Sequence, residues 1–324
     1  MLVLSTLLCS WALTGIIRTL FLKKKLLDIP NERSSHTLPT PHGGGIAIGI
    51  VWFAGMVYLY VFGQIAPSLF HALLAGVVLC VISYVDDVYT ISPKVRLMIH
   101  ALVACAGIYS LGGIARIDLG VVVLEHAWIT NIVAFLCIIW SINLYNFLDG
   151  IDGYAGSEGL FLALFGFVVF GEDVYVLLGA SILGFLVWNW QPAKIFMGDV
   201  GSTLLGYCIA IMALYHQNEG SSLLIWLIVY GLFWFDATLT IIRRYRNHEK
   251  ILQAHKKHGY QRLVQSGWSH QKVVLFAQGV NLLLGVLGYI AFMKHEWLLG
   301  CFLLSVGFLY GIMKRIDAKK KFEL

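Results

Sequence analysis

Runs of roughly 15–22 consecutive, mostly apolar residues recur along almost the whole chain, each long enough to cross a bilayer as a helix. The stretch LLIWLIVYGLFWFDATLTII, residues 223–242, is one example. Such repetition excludes most soluble folds. The 324 residues are 59% hydrophobic and 13% charged, whereas a soluble domain is nearer half apolar and a quarter charged. The pattern predicts an all-α polytopic integral membrane protein forming one domain over 1–324. Eleven transmembrane helices are expected, near 1–22, 43–63, 68–85, 96–113, 128–146, 158–171, 173–190, 201–216, 221–243, 270–293 and 296–313.

Charge sets the expected orientation. Lys23 to Lys25, Arg33, Lys94, Lys194, Arg243, Arg244, Arg246, Lys250, Lys256, Lys257, Arg262 and the Lys314–Lys321 tail fall in one set of loops, against little beyond Arg116 and Lys294 in the other. The positive-inside rule then puts the N-terminus outside and the C-terminus in the cytoplasm. The net charge of +5 is explained by this topology, so no nucleic-acid partner is expected. The first helix lacks a cleavage signal and is expected to remain. Cys9, Cys80, Cys105, Cys137, Cys208 and Cys301 lie singly in apolar runs, which suggests neither a disulfide framework nor a zinc site.

Chemistry concentrates on the inner face. Asp86 and Asp87 (YVDDVYT), Asp149 and Asp152 (NLYNFLDGIDG) and Asp199 (FMGDVGS) all sit at helix ends on that side. Ionisable groups near bilayer depth are costly and mark function. Adjacent carboxylates repel unless a cation is near, and a few hard oxygen ligands suit Mg²⁺, which also takes substrate phosphates. Mn²⁺ is the alternative. Asn146, Asp149 and Asp152 recur at every third position and share one side of a helix end. Glycines beside Asp199, and HGGG at 42–45, open helices whose N–H groups favour phosphate. The basic loop carries His255 and His258, with Lys256, Lys257 and Arg262 as a phosphate clamp. Asp236, mid-span, reads equally well as a buried acid paired with a neighbouring helix.

Together these motifs resemble the polyprenyl-phosphate N-acetylhexosamine-1-phosphate transferases (glycosyltransferase family 4), in order from about residue 28 to 275. The segments NERSSHTLPTPHGGG and FDATLTIIRR…AHKKHGYQRL…GWSHQKV look closest to the branch that primes O-antigen with FucNAc- or QuiNAc-type donors. The resemblance implies that undecaprenyl phosphate attacks the β-phosphorus of a UDP-activated N-acetylated sugar at the bacterial inner membrane and releases UMP. A donor restricted to UDP-GlcNAc is the alternative, and a homodimer is a further expectation. It also implies that Asp199 holds Mg²⁺ and that Asp86 and Asp87 lie near the lipid phosphate, Asp87 supporting the metal. Asp149 and Asp152 shape the nucleotide-phosphate site, and His255 and His258 form its histidine motif. His36, Asn146, Asn189, Phe196 and Arg262 bind substrate, Asn189 and Phe196 at the uracil. Tyr89 and Thr90 stand where some relatives carry a third acid, and HKKH replaces the triple histidine of the MurNAc-pentapeptide translocase. A secondary transporter would place its charges near the midplane within inverted repeats, which this chain does not show. A CDP-alcohol phosphotransferase would pack its acids into one short segment.

Overall fold

The computed structural model describes residues 1–30, 38–89, 91–251, 253 and 255–322. Its helices are α1 (Leu2–Lys24), α2 (Gly45–Val61), α3 (Pro67–Leu74), α4 (Gly76–Tyr89), α5 (Pro93–Ser110), α6 (Ala127–Phe147), α7 (Tyr154–Phe170), α8 (Asp173–Asn189), α9 (Gly198–Asn218), α10 (Leu223–Val229), α11 (Gly231–Arg246), α12 (Gly259–Gln265), α13 (His270–Met293) and α14 (Leu298–Lys319). Every apolar run is helical, and the protein is an all-α, multi-pass membrane protein.

Among the described residues, six helical segments are long and apolar enough to cross a membrane, and α10 with α11 makes a seventh if the bent pair counts as one span. α2, α7 and α8 are apolar but 17 residues long. At 1.5 Å per residue that is about 26 Å, just short of a typical hydrocarbon core. α5 begins with Lys94 and Arg96, so its apolar length is shorter than its helical length.

Two spans read as continuous from the sequence are interrupted, although Pro67–Asp87 still counts as one span. α3 and α4 separate at Ala75, and α10 and α11 meet at an 81° bend. In both cases a side chain takes a carbonyl that the regular ladder would use, a recognised cause of kinks. The Tyr207 hydroxyl donates to Ala72 O at 2.6 Å, and the Trp234 indole donates to Leu227 O at 2.6 Å. Outside the helices the described residues add two short antiparallel pairs. Leu27–Asp28 pairs with Thr40–Pro41, and Ile117–Asp118 with Val123–Leu124. Backbone groups in these connections have no helical partners and satisfy one another.

α9 is the centre of the molecule. Nearly all of it is buried, from Val200 to Gln217, and it packs on α6, α4 and α2. α1 lies along α8, α7 pairs with α8 and α13, and α14 closes over α10 and α13. At the end where α9 begins, α2 also begins. There Gly45 lies so close that a Cβ on it would sit 2.3 Å from the Gly201 backbone. The two helix starts are fused into one rigid floor.

Candidate active site

That floor opens into a cavity of about 670 Å³ beside the starts of α7, α9 and α13. Asp87, Asn146, Asp149, Asp152, Asn189, Phe196 and Asp199 all line it. Residues from three separate loops, expected from sequence to act together, thus face one space.

Asp199 stands in the first turn of α9. Asn146 Nδ2 donates to its carboxylate at 2.9 Å and to Ser202 Oγ at 3.0 Å. Arg96 Nη1 reaches it at 3.4 Å, and the same nitrogen holds Asp86 at 2.6 Å. Asp86 also accepts the Ile91 N–H at 2.5 Å. Asp86 is therefore turned to Arg96, beside the cavity, while Asp87 lines it. His42 Nε2 is 3.8 Å from Asp87 Oδ2.

Asp149 lies deeper. Burial and the neighbouring Asp199 charge push its carboxyl up to about 7, while the Gly198 backbone N–H pulls the other way. The anion facing the α9 N-terminus is thus a carboxylate of the protein. HGGG is likewise spent internally. Gly44 and Gly45 donate to Phe196 O and Met197 O, both at 2.9 Å, and Phe196 N–H donates to Pro41 O at 2.8 Å. The phosphate-cradle expectation for HGGG is corrected here: these N–H groups close the loop onto α2.

Asp152 is a clasp. Its carboxylate accepts the Ala193 N–H at 3.1 Å, and its own N–H donates to His270 Nδ1 at 3.3 Å. Asn189 does similar work, accepting from Gly153 N–H at 3.0 Å and donating to Ile195 O at 2.9 Å. Together they join the 149–153 turn to the 190–197 loop.

The basic loop is arranged differently from the expected clamp. Arg262 is 2% exposed and donates to Asp317 at 2.6 Å, and Arg243 pairs with the same carboxylate. Lys257 bonds Glu249 at 2.7 Å. These cations are committed to acids because buried charge must be paired. His258 stands 3.6 Å from the buried Asp236, which accepts the Gly259 N–H at 2.9 Å. Asp236 therefore fixes the start of α12, as the paired-acid reading anticipated. His255 accepts the Lys257 N–H on Nδ1 at 3.2 Å. Burial, then His258 and Arg244, drive its pKa down to about 3, so it is neutral. His255, His258 and Arg262 stand outside the cavity lining, and α12 reaches it through Gln261. His36 lies outside the described residues.

A family model described as glycosyl transferase family 4 matches residues 69–217. Over 302 residues the chain is 32% identical to the probable undecaprenyl-phosphate N-acetylglucosaminyl 1-phosphate transferase of Bacillus subtilis (strain 168), covering 88% of this chain and 83% of that one. The chain belongs to glycosyl transferase family 4. It is also 31% identical to the decaprenyl-phosphate N-acetylglucosaminephosphotransferase of Mycobacterium tuberculosis (strain CDC 1551 / Oshkosh), over 85% of this chain and 77% of that one. A Yersinia pestis undecaprenyl-phosphate alpha-N-acetylglucosaminyl 1-phosphate transferase is 29% identical, over 94% of this chain and 88% of that protein.

As a family 4 member the protein is a phosphoglycosyltransferase, and its cavity carries residues that the motifs did not single out. Arg96, His42, Gln261 and His270 contact the acids or line the space. Arg96 falls in an apolar run and shows no local signal. His270 opens the apolar helix α13 on the same side as the acidic loops, which was a usable signal.

Proposed function

We propose that this transferase moves an N-acetylhexosamine 1-phosphate from a UDP-sugar to undecaprenyl phosphate and releases UMP. The observation that carries the reading is the convergence of Asp87, Asp149 and Asp199 on one cavity whose described lining residues include no Lys or Arg. The relatives' names favour UDP-GlcNAc as the first donor to test; the O-antigen-type donors suggested by the motifs come second. Eleven crossings, with the N-terminus outside and the cavity facing the cytoplasm of a bacterial inner membrane, fit the lysine and arginine distribution.

The donor set suits a divalent cation. Its atoms are hard carboxylate oxygens, burial and then the neighbouring Asp199 charge raise Asp149 to about 7, and the Arg96 guanidinium is shared between Asp86 and Asp199. Among the described residues no three His, Cys, Asp or Glu side chains form a ready metal cage. The ion proposed here would have to keep waters and take substrate phosphates as ligands. Asp199 and Asp87 would hold Mg²⁺ or Mn²⁺. When bound, the ion would neutralise diphosphate charge, the main requirement of phosphoryl transfer.

The chain's own residues then position the reactants. Asn146 and Arg96 orient Asp199, and the Asp152–Asn189 clasp shapes the wall. Phe196 lines the cavity, where the base is expected to bind. The lipid phosphate is already largely dianionic near neutral pH, so direct attack is favoured over a phospho-aspartate. Purified enzyme with β-³²P-labelled UDP-GlcNAc, undecaprenyl phosphate and Mg²⁺ should transfer label to the lipid. Label retained on protein with no lipid present would instead support a covalent intermediate, and no transfer from any UDP-HexNAc would refute the reading.

A further inference from the structure

The strongest unassigned group in the cavity is His270. Its side chain is 9% exposed, it lines the cavity, and it begins α13 directly after the Ser269 cap. Its Nδ1 faces Asp152 twice, accepting the backbone N–H at 3.3 Å and lying 3.4 Å from carboxylate Oδ2. Nε2 has no protein partner among the described residues.

These contacts determine what Nε2 offers. A neutral ring that accepts at Nδ1 must carry its proton on Nε2. A proton on Nδ1 would instead turn one N–H against the other at Asp152. With Nδ1 accepting, Nε2–H is a donor, unpaired among the described residues, on a side chain that lines the same cavity as Asp87, Asp149 and Asp199. An unpaired donor there suits an acceptor brought by the substrate, and a phosphate oxygen is one.

We propose that His270 Nε2–H donates to a phosphate oxygen of the nucleotide-sugar diphosphate. His270 is thus a substrate-contacting residue, and Asp152 positions it through Nδ1. This inference rests on the function proposed above. Charge-assisted donation of this kind contributes enough that its loss costs roughly tenfold to a hundredfold in kcat/KM.

Two substitutions separate donation from a purely structural role, because each preserves one end of the ring. His270→Gln can put an amide N–H near the place of Nε2 but leaves Asp152. His270→Asn can keep the Asp152 contact at Nδ1 but withdraws the donor. The assay is UMP release from UDP-GlcNAc with undecaprenyl phosphate and Mg²⁺, per monodisperse enzyme in detergent. We expect H270Q to keep most of wild-type kcat/KM and H270N to lose at least about tenfold. An active H270N, or equal impairment of both variants, overturns the proposal. If H270N does not fold, H270Q against H270A decides it, and equal activities of these two overturn it. Wild-type enzyme that releases no UMP would refute the proposed function itself, a result distinct from any pattern among the variants.

Discussion

Asn146 donates to the Asp199 carboxylate at 2.9 Å, although 53 residues separate them. This bond joins the end of α6 to the start of α9 and aims the carboxylate into the cavity. Asn146→Ala should free Asp199 to rotate and leave Ser202 without its second partner. UMP release should fall roughly tenfold to a hundredfold, since a hydrogen bond to a charged group contributes about 1.5–3 kcal/mol. Asn146→Asp should be worse, because a further acid would face Asp199. Steady-state rates with protein elution profiles check both.

Gly150 and Tyr260 form a second coupled pair. A Cβ on Gly150 would lie 2.1 Å from the Tyr260 hydroxyl, and that hydroxyl donates to Phe147 O at 3.2 Å. Gly150→Ala should therefore push α12, and with it Gln261, away from the cavity. Tyr260→Phe removes the colliding atom, leaving the ring carbon at 3.1 Å as nearest neighbour. The double variant should recover activity that the glycine variant alone loses. Additive losses across this cycle would show that the two residues are uncoupled.

The contact between Gly45 and Gly201 makes a stability prediction. Either glycine replaced by alanine meets backbone, which cannot rotate away. Overpacking of this kind costs about 1–3 kcal/mol. Thermal unfolding in detergent should shift down by several degrees for each, at about 2–4 °C per kcal/mol. Gly300→Ala, with open space around it, should leave the midpoint unchanged.

His255 predicts a pH dependence. The folded chain holds its pKa near 3, from an ordinary 6.5. Between these values the unfolded segment binds a proton that the folded one does not, so stability rises with pH there. The His255 contribution is intact above about pH 6.5 and is lost as pH falls toward 3. Hydrogen exchange over residues 243–263 should quicken as pH drops from 7 to 5, after correction for intrinsic rates. His255→Gln should flatten that change. Glu249 is held below its ordinary 4.5 by Lys257 and Arg244 against the opposing effect of burial, so its own contribution is lost below the pH 7 to 5 range of this measurement.

Apolar length was enough to locate the apolar helical segments, because in a membrane protein hydropathy and helicity coincide, but it missed the polar α12 (Gly259–Gln265). The breaks at Ala75 and Tyr230 were not legible, since they follow from Tyr207 and Trp234 donating to carbonyls. For the site, Asp149, Asp152 and Asp199 were legible as short acidic motifs at helix ends. Residues whose role depends on a partner were not. Arg96 acts through Asp86 and Asp199 and looks like any charge in an apolar run, while Arg262 looks like a phosphate ligand until Asp317 is seen beside it. HGGG misled for a related reason: the glycines are needed, but for α2 to touch α9.

The central claim is that carboxylates from separate loops form one cation-dependent site. Mn²⁺ titration followed by electron paramagnetic resonance tests it most directly, using wild type, Asp199→Asn and Asp87→Asn with UDP-GlcNAc present. The account predicts one bound Mn²⁺ per wild-type chain, markedly weakened in both variants. Undiminished stoichiometric binding in the two variants would contradict it.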